Sequence, residues 1–217
     1  MFKTIKNIPV PQFLVKSKWL KKISGLILTP ARSGQNQNIF LVEINGRSVL
    51  IPPLSGSSSF NAYASNLGLQ ITKVCCCDLA EMVADRDVVF VFRPDFNRLL
   101  SFYNKKLRNP GNLSKWLLYL SFSKFSIDMS FTTFLKQYKN MRNNGEYLDK
   151  HLLLNQDFLN YLGKDPITTI TISVLFDWLS PTQAIPPINS SLEVSTIHSP
   201  YVPTTSDRRV FEKLFSS

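Results

Sequence analysis

Histidine is nearly missing from this chain of 217 residues, which holds only His151 and His198. Any acid–base chemistry near neutral pH that calls on imidazole therefore has two candidates. Cysteine is confined to three adjacent positions, Cys75, Cys76 and Cys77. An odd, unspaced run offers neither a disulfide framework nor the ligand spacing of a zinc site, so buried reduced thiols and no metal are expected. Long apolar runs are also lacking. Residues Ile167 to Leu179 are interrupted by Thr, Ser and Asp, and nothing reaches the roughly 20 apolar residues of a membrane span. The start, Met1 to Pro11, is basic but has no apolar core of signal-peptide length, so a cytoplasmic location is expected. No internal repeat is visible.

Acidic residues are absent before Glu43, whereas Lys3, Lys6, Lys16, Lys18, Lys21, Lys22 and Arg32 precede it. Residues 1–38 read as a solvated basic extension, and 39–217 as one domain with a proline-rich segment at 181–203. With 44% hydrophobic residues the chain can bury one substantial core. The net charge of +10 implies anionic partners without choosing among nucleotide, acidic glycan, nucleic acid or membrane surface. No nucleic-acid-binding motif is recognisable, so no specific nucleic-acid partner is expected.

Two β-prone segments, Ile39 to Ile44 and Ser48 to Ile51, flank Asn45-Gly46, a dipeptide suited to a type I′ hairpin turn. A small-residue loop follows, Pro52 to Ser59, and then a short helix from Phe60 to Leu67. Leu69 to Cys76 reads as a strand, Asp78 to Ala84 as a helix capped by Asp78, and Val88 to Phe92 as a strand buried on both faces. Apolar residues at helical spacing run from Phe96 to Leu107, and further helices are expected over Ser114 to Phe125 and from an N-cap at Ser130 to Met141. The β-branched stretch Ile167 to Leu175 reads as a late core strand. This alternation predicts an α/β fold, a central mostly parallel sheet flanked by helices.

Two places have the chemistry of an anion site. In the first, Ser55, Gly56, Ser57, Ser58 and Ser59 would let backbone N–H groups and hydroxyls approach a phosphate at a helix N-terminus. The Gly-Lys-Ser/Thr ending of a triphosphatase loop is missing. In the second, Arg93 follows a buried strand, where ligands gather in open α/β sheets, and Ser101 lies on the next helix. A guanidinium there can grip phosphate through two charge-assisted bonds. Equally, Arg93 and Arg98 could pair with Asp85, Asp87 or Asp95.

The stretch Arg93-Pro94-Asp95-Phe96-Asn97-Arg98-Leu99-Leu100-Ser101-Phe102-Tyr103 resembles the 3′-phosphate motif Arg-x-Pro-aromatic-x-Arg-Leu-x-Ser-x-Tyr of carbohydrate sulfotransferases, with the proline displaced to Pro94. Pro52-Pro53-Leu54-Ser55-Gly56-Ser57-Ser58 is similar to that family's 5′-phosphosulfate loop, Pro-Lys-x-Gly-Ser-Thr-Ser. Weaker likenesses are Phe131 and Phe134 to a Phe-x-x-Phe helix, His151 with Gln156 to a His-x-x-x-Gln segment, and Pro186 to Asn189 to a Pro-x-x-Asn element. The resemblance, spanning about residues 39 to 215, implies a P-loop-like sulfotransferase fold, sulfotransferase family 2-like. It also implies transfer of a sulfuryl group from 3′-phosphoadenosine 5′-phosphosulfate (PAPS) to a hydroxyl of a carbohydrate acceptor, acidic glycans included. It assigns the loop serines to the 5′-phosphosulfate and Arg93 and Ser101 to the 3′-phosphate. The acceptor hydroxyl also needs a base, for which His151, in the family-like segment, is the candidate and Glu146 the reserve. Pro53 stands where the family has a leaving-group lysine, so either Arg47 or Arg32 replaces that cation or the chain is a catalytically impaired binder of adenosine 3′,5′-bisphosphate or polyanions.

Overall fold

The computed structural model describes residues 38–108, 125, 129–145, 151–166, 168–179 and 200–215. The expected basic extension, the helix from Ser114, Glu146, Arg32, His198 and most of the proline-rich segment lie outside these residues. Strand β1 (Asn38–Ile44) and strand β2 (Arg47–Ile51) pair antiparallel about Asn45 and Gly46, whose φ angles of 51° and 74° meet the turn's need for two positive values. Helix α1 (Ser57–Asn66) and strand β3 (Ile71–Cys75) follow. Next come a 3₁₀ turn (Cys76–Asp78), the short α2 (Leu79–Met82), strand β4 (Val88–Val91) and α3 (Asp95–Phe102), which runs on into a π-helical segment (Tyr103–Arg108). The remaining described elements are α4 (Phe131–Asn143), α5 (Asn155–Leu162), β5 (Thr168–Ile170), α6 (Ile172–Leu179) and α7 (Thr205–Phe215). No described helix is long and apolar enough to cross a membrane.

The chain divides into two compact units, the first drawn from Ser33–Arg98 and Asp149–Ser191, the second from Leu99–Leu148 and Leu192–Ser217 among its parts. The first is α/β and contains a five-stranded sheet of order β3-β1-β2-β4-β5. That sheet is mixed rather than mostly parallel: β1 pairs antiparallel with both β2 and β3, while β2–β4 and β4–β5 are parallel. The tight hairpin is the physical reason. It reverses β1 alone, and β1 lies between β3 and β2, so one turned strand makes two antiparallel ladders. Strands β2, β3, β4 and β5 consequently point the same way and end at one edge.

Strands β2 and β4 are interior and buried on both faces, with Val49, Leu50, Ile51, Val89, Phe90 and Val91 essentially inaccessible. Val49, Ile51, Val89 and Val91 share one face with Phe60 and Tyr63 of α1 and Leu175 and Phe176 of α6 in a single apolar cluster. Burial of each such side chain contributes about 1.5–3 kcal/mol, which makes this cluster the anchor of the unit. Lys164 closes the other end of the sheet, its ammonium donating to the carbonyls of Val83, Ala84 and Arg86 at 2.6, 2.8 and 2.8 Å.

Three local expectations fail. Ile167 to Leu175 is not one strand, because the strand stops at Ile170 and α6 begins at Ile172. Thr171 turns the chain, its hydroxyl accepting from the Val174 amide at 3.5 Å, and the burial of Leu175 and Phe176 at helical spacing outweighs β-branched propensity. Asp78 makes no side-chain cap. Cys75 and Cys77 form a disulfide and only Cys76 is a buried thiol, because a two-residue separation brings the flanking Cα atoms to 5.3 Å.

The second unit is held by aromatic rings. Phe134 of α4 stacks on Phe102 at 5.9 Å and on Phe131 at 5.8 Å, and meets Phe125 at 4.9 Å. The Ser130 hydroxyl caps α4 by accepting from the Thr133 amide, as expected. Asp207 starts α7 with a reciprocal cap: its carboxylate accepts from the Thr204 amide at 2.8 Å while the Thr204 hydroxyl accepts from the Asp207 amide at 3.2 Å. The same carboxylate accepts from Tyr201 at 2.6 Å and Thr132 at 2.9 Å.

Burial alone would raise the Asp207 carboxyl, but hydrogen bonds from Tyr201, Thr204 and Thr132 outweigh it and hold its pKa below the ordinary value. Burial, then the bond to Asp207, pushes the Tyr201 phenol up to about 12. A raised folded pKa stabilises fully below the unfolded value near 10 and loses that contribution as pH climbs from about 10 toward 12. A depressed carboxyl acts oppositely, losing its contribution as pH falls below about 4. Melting temperature is thus expected to fall at both extremes. Tyr201→Phe should flatten the alkaline limb and Asp207→Asn the acid limb; unaltered limbs in both variants would contradict this account.

Candidate anion site at the carboxyl edge of the sheet

Strand β2 ends in a turn closed by the Ser55 amide on the Pro52 carbonyl at 3.1 Å. Pro53 occupies its second position and Leu54, at φ 63°, its third. Proline presets the φ that such a turn needs first, and a positive φ follows it, an unusual state for leucine that costs about 1–2 kcal/mol. Pro53 is buried and builds the turn. Arg93, at the end of β4, supports the strained residue by donating from one guanidinium nitrogen to the Leu54 carbonyl at 2.6 Å.

Gly56 comes next, at φ 94°, and leads directly into α1 without a side-chain cap. The opening amides of any α-helix lack acceptors within the helix. Here the first turn is Ser57-Ser58-Ser59-Phe60, so no acidic side chain of that turn offsets the partial positive charge of the helix end. Ser57 and Ser59 are half-buried. The close fit of Gly56 fixes this geometry, since a Cβ there would fall 2.7 Å from Cγ1 of Ile172, the residue that opens α6.

Arg98 braces the loop from beneath. Its side chain is wholly buried, donating to the Ser55 hydroxyl at 2.8 Å and to the Leu153 carbonyl at 2.8 Å, with the guanidinium 5.1 Å over the Phe158 ring and 3.8 Å from Asp95. Asn155, at the start of α5, fastens the end of β4 by donating from its amide nitrogen to the Arg93 carbonyl at 2.8 Å and to Asp95 at 2.7 Å. Arg93 itself is half-buried, and burial pulls its pKa down from the ordinary arginine value. Among the described residues Arg93 spends one N–H on the Leu54 carbonyl, and a guanidinium carries five such donors.

Of the residues expected from sequence, Ser55, Gly56, Ser57 and Arg93 are brought together at one edge, with Ser59 one position further along α1. For Ser58 the backbone alone is described. Ser55 is turned inward and occupied by Arg98. Ser101 is half-buried on the part of α3 belonging to the second unit. His151 lies half-buried in the turn two residues before Leu153. Arg47, expected as a substitute for the loop lysine, lies away from this loop: it opens β2 at the opposite edge and sits 6.0 Å over Trp178. The residues that sequence reasoning missed are Arg98 as a brace, Asn155 and Ile172. Only their distant partners reveal them.

No protein-family model, curated protein or solved structure matches this chain.

Proposed function

We propose that this edge of the sheet binds the phosphate groups of PAPS, and that the chain is a sulfotransferase acting on a carbohydrate hydroxyl. The observation that carries the reading is the uncapped start of α1, preceded by two left-handed residues and paired with the half-buried Arg93 on the loop carbonyl. Backbone amides, serine hydroxyls and a guanidinium form a donor set suited to phosphate oxygens. Bound there, PAPS would supply a transferable sulfuryl group. The amides of Ser57 to Ser59 would hold its 5′-phosphosulfate, and Arg93 would grip its 3′-phosphate. His151 remains the proposed base, holding the acceptor's proton.

A second reading is favoured by Pro53, whose buried, turn-forming position leaves no room for the family's lysine function: the same site binds adenosine 3′,5′-bisphosphate without transfer. Calorimetric titration with that nucleotide is expected to show binding that Arg93→Ala weakens at least tenfold, since charged hydrogen bonds contribute about 1.5–3 kcal/mol. Absence of binding to the unaltered chain sinks both readings. Turnover of labelled donor on a glycan panel separates them, and full turnover in His151→Ala removes that residue as an essential base.

A further inference from the structure

We propose that Cys75 and Cys77 form a thiol-exchange site, a reversible two-electron couple open to small external thiols such as glutathione. Cys75 ends β3 and Cys77 lies in the following 3₁₀ turn, so the disulfide joins a strand end to a turn rather than two distant parts of the chain. A bond with a sequence separation of two closes very little chain entropy and has small value as a staple. Accessibility is graded along the three residues: Cys77 is exposed, Cys75 half-buried and Cys76 buried. The residue that bears the outer sulfur is thus the exposed one, and the remaining thiol is buried.

The reduced form is also accommodated. Oδ1 of Asp78 lies 3.3 Å from Sγ of Cys77, so the S–H that appears on reduction has an acceptor in place. In the forward step an external thiolate attacks Sγ of Cys77, the Cys75–Cys77 bond breaks, and Cys75 leaves as thiolate and takes a proton. A second external thiolate then attacks the external sulfur of the mixed disulfide. This releases Cys77 as thiolate, which takes a proton, and yields the oxidised external disulfide. Two external thiols are oxidised for each protein disulfide reduced.

The test equilibrates the full chain in glutathione buffers of graded ratio, quenches with acid, and counts alkylated cysteines by mass after denaturation. One alkylated cysteine is expected at the oxidising end and three at the reducing end, in a single transition. Cys76→Ser should shift the counts to none and two with the same midpoint. Melting temperature should differ by no more than about 6 °C between the two forms, given so short a loop. Three alkylated cysteines at the oxidising end, one at the reducing end, or loss of the transition in Cys76→Ser would each overturn the proposal.

Discussion

Replacement of Arg98 by alanine is expected to lower the melting temperature by about 10 °C. Arg98 has no exposure, yet its guanidinium reaches the Ser55 hydroxyl, the Leu153 carbonyl and the face of Phe158. Truncation removes a large packed stem and leaves those acceptors in a dry cavity. Loss of one partner from a buried charged network costs about 3–5 kcal/mol. Lysine keeps the charge but cannot reach two divergent acceptors with a planar fork, and methionine keeps only the stem. The expected order of stability is arginine, lysine, methionine, alanine. Thermal denaturation of the four proteins checks it, and an Arg98→Ala melting point within about 2 °C of the parent would refute the bracing role.

Gly56→Ala should be nearly as damaging, and for separable reasons. At φ 94° any L side chain is strained, and the added carbon would meet Ile172 at 2.7 Å. Strain and overpacking together cost about 2–4 kcal/mol unless the loop moves. If the loop does move, the amides of Ser57 to Ser59 leave their positions, and affinity for adenosine 3′,5′-bisphosphate should fall at least tenfold. Ile172→Ala removes the clashing Cγ1 but not the dihedral strain. The double variant is therefore expected to recover part of the stability lost in Gly56→Ala. Strict additivity of the two changes would mean that the contact with Ile172 does not matter.

The parts of this fold that sequence made legible are those settled by neighbours along the chain. Asn45-Gly46 announced its hairpin, the apolar run at Val88 its interior strand, and Ser130 its helix start. The small residues Ser55 to Ser59 and the cation Arg93 after a buried strand were equally local signals, but the helix expected from Phe60 starts at Ser57, so Ser57 to Ser59 form its first turn rather than a loop before it. Where tertiary packing decides, local pattern misled. Ile170, Thr171 and Ile172 have β-branched side chains, yet the apolar surface available to Leu175 and Phe176 turns the chain into α6. Helices α5 and α7 went unread although Asp157, accepting from the Leu154 amide, and the Thr204–Asp207 pair mark their starts. Sequence alone offers Arg98 only a place in the motif or a surface pairing with Asp85, Asp87 or Asp95. Its actual partners, at positions 55 and 153, are too remote in sequence for spacing to reveal.

The contact between Gly56 and Ile172 also bears on when, during synthesis, the loop acquires its form. A nascent chain ending at residue 150 already contains β1 to β4, all five loop residues and both arginines. It lacks the Leu153 carbonyl that receives Arg98, the Asn155 amide that fastens the end of β4, and the Ile172 side chain against which Gly56 closes. The loop's geometry therefore depends on the late chain as much as on the early one. Until roughly four-fifths of the sequence has emerged, the loop that reads as an anion cradle is a run of small residues without the walls that shape it.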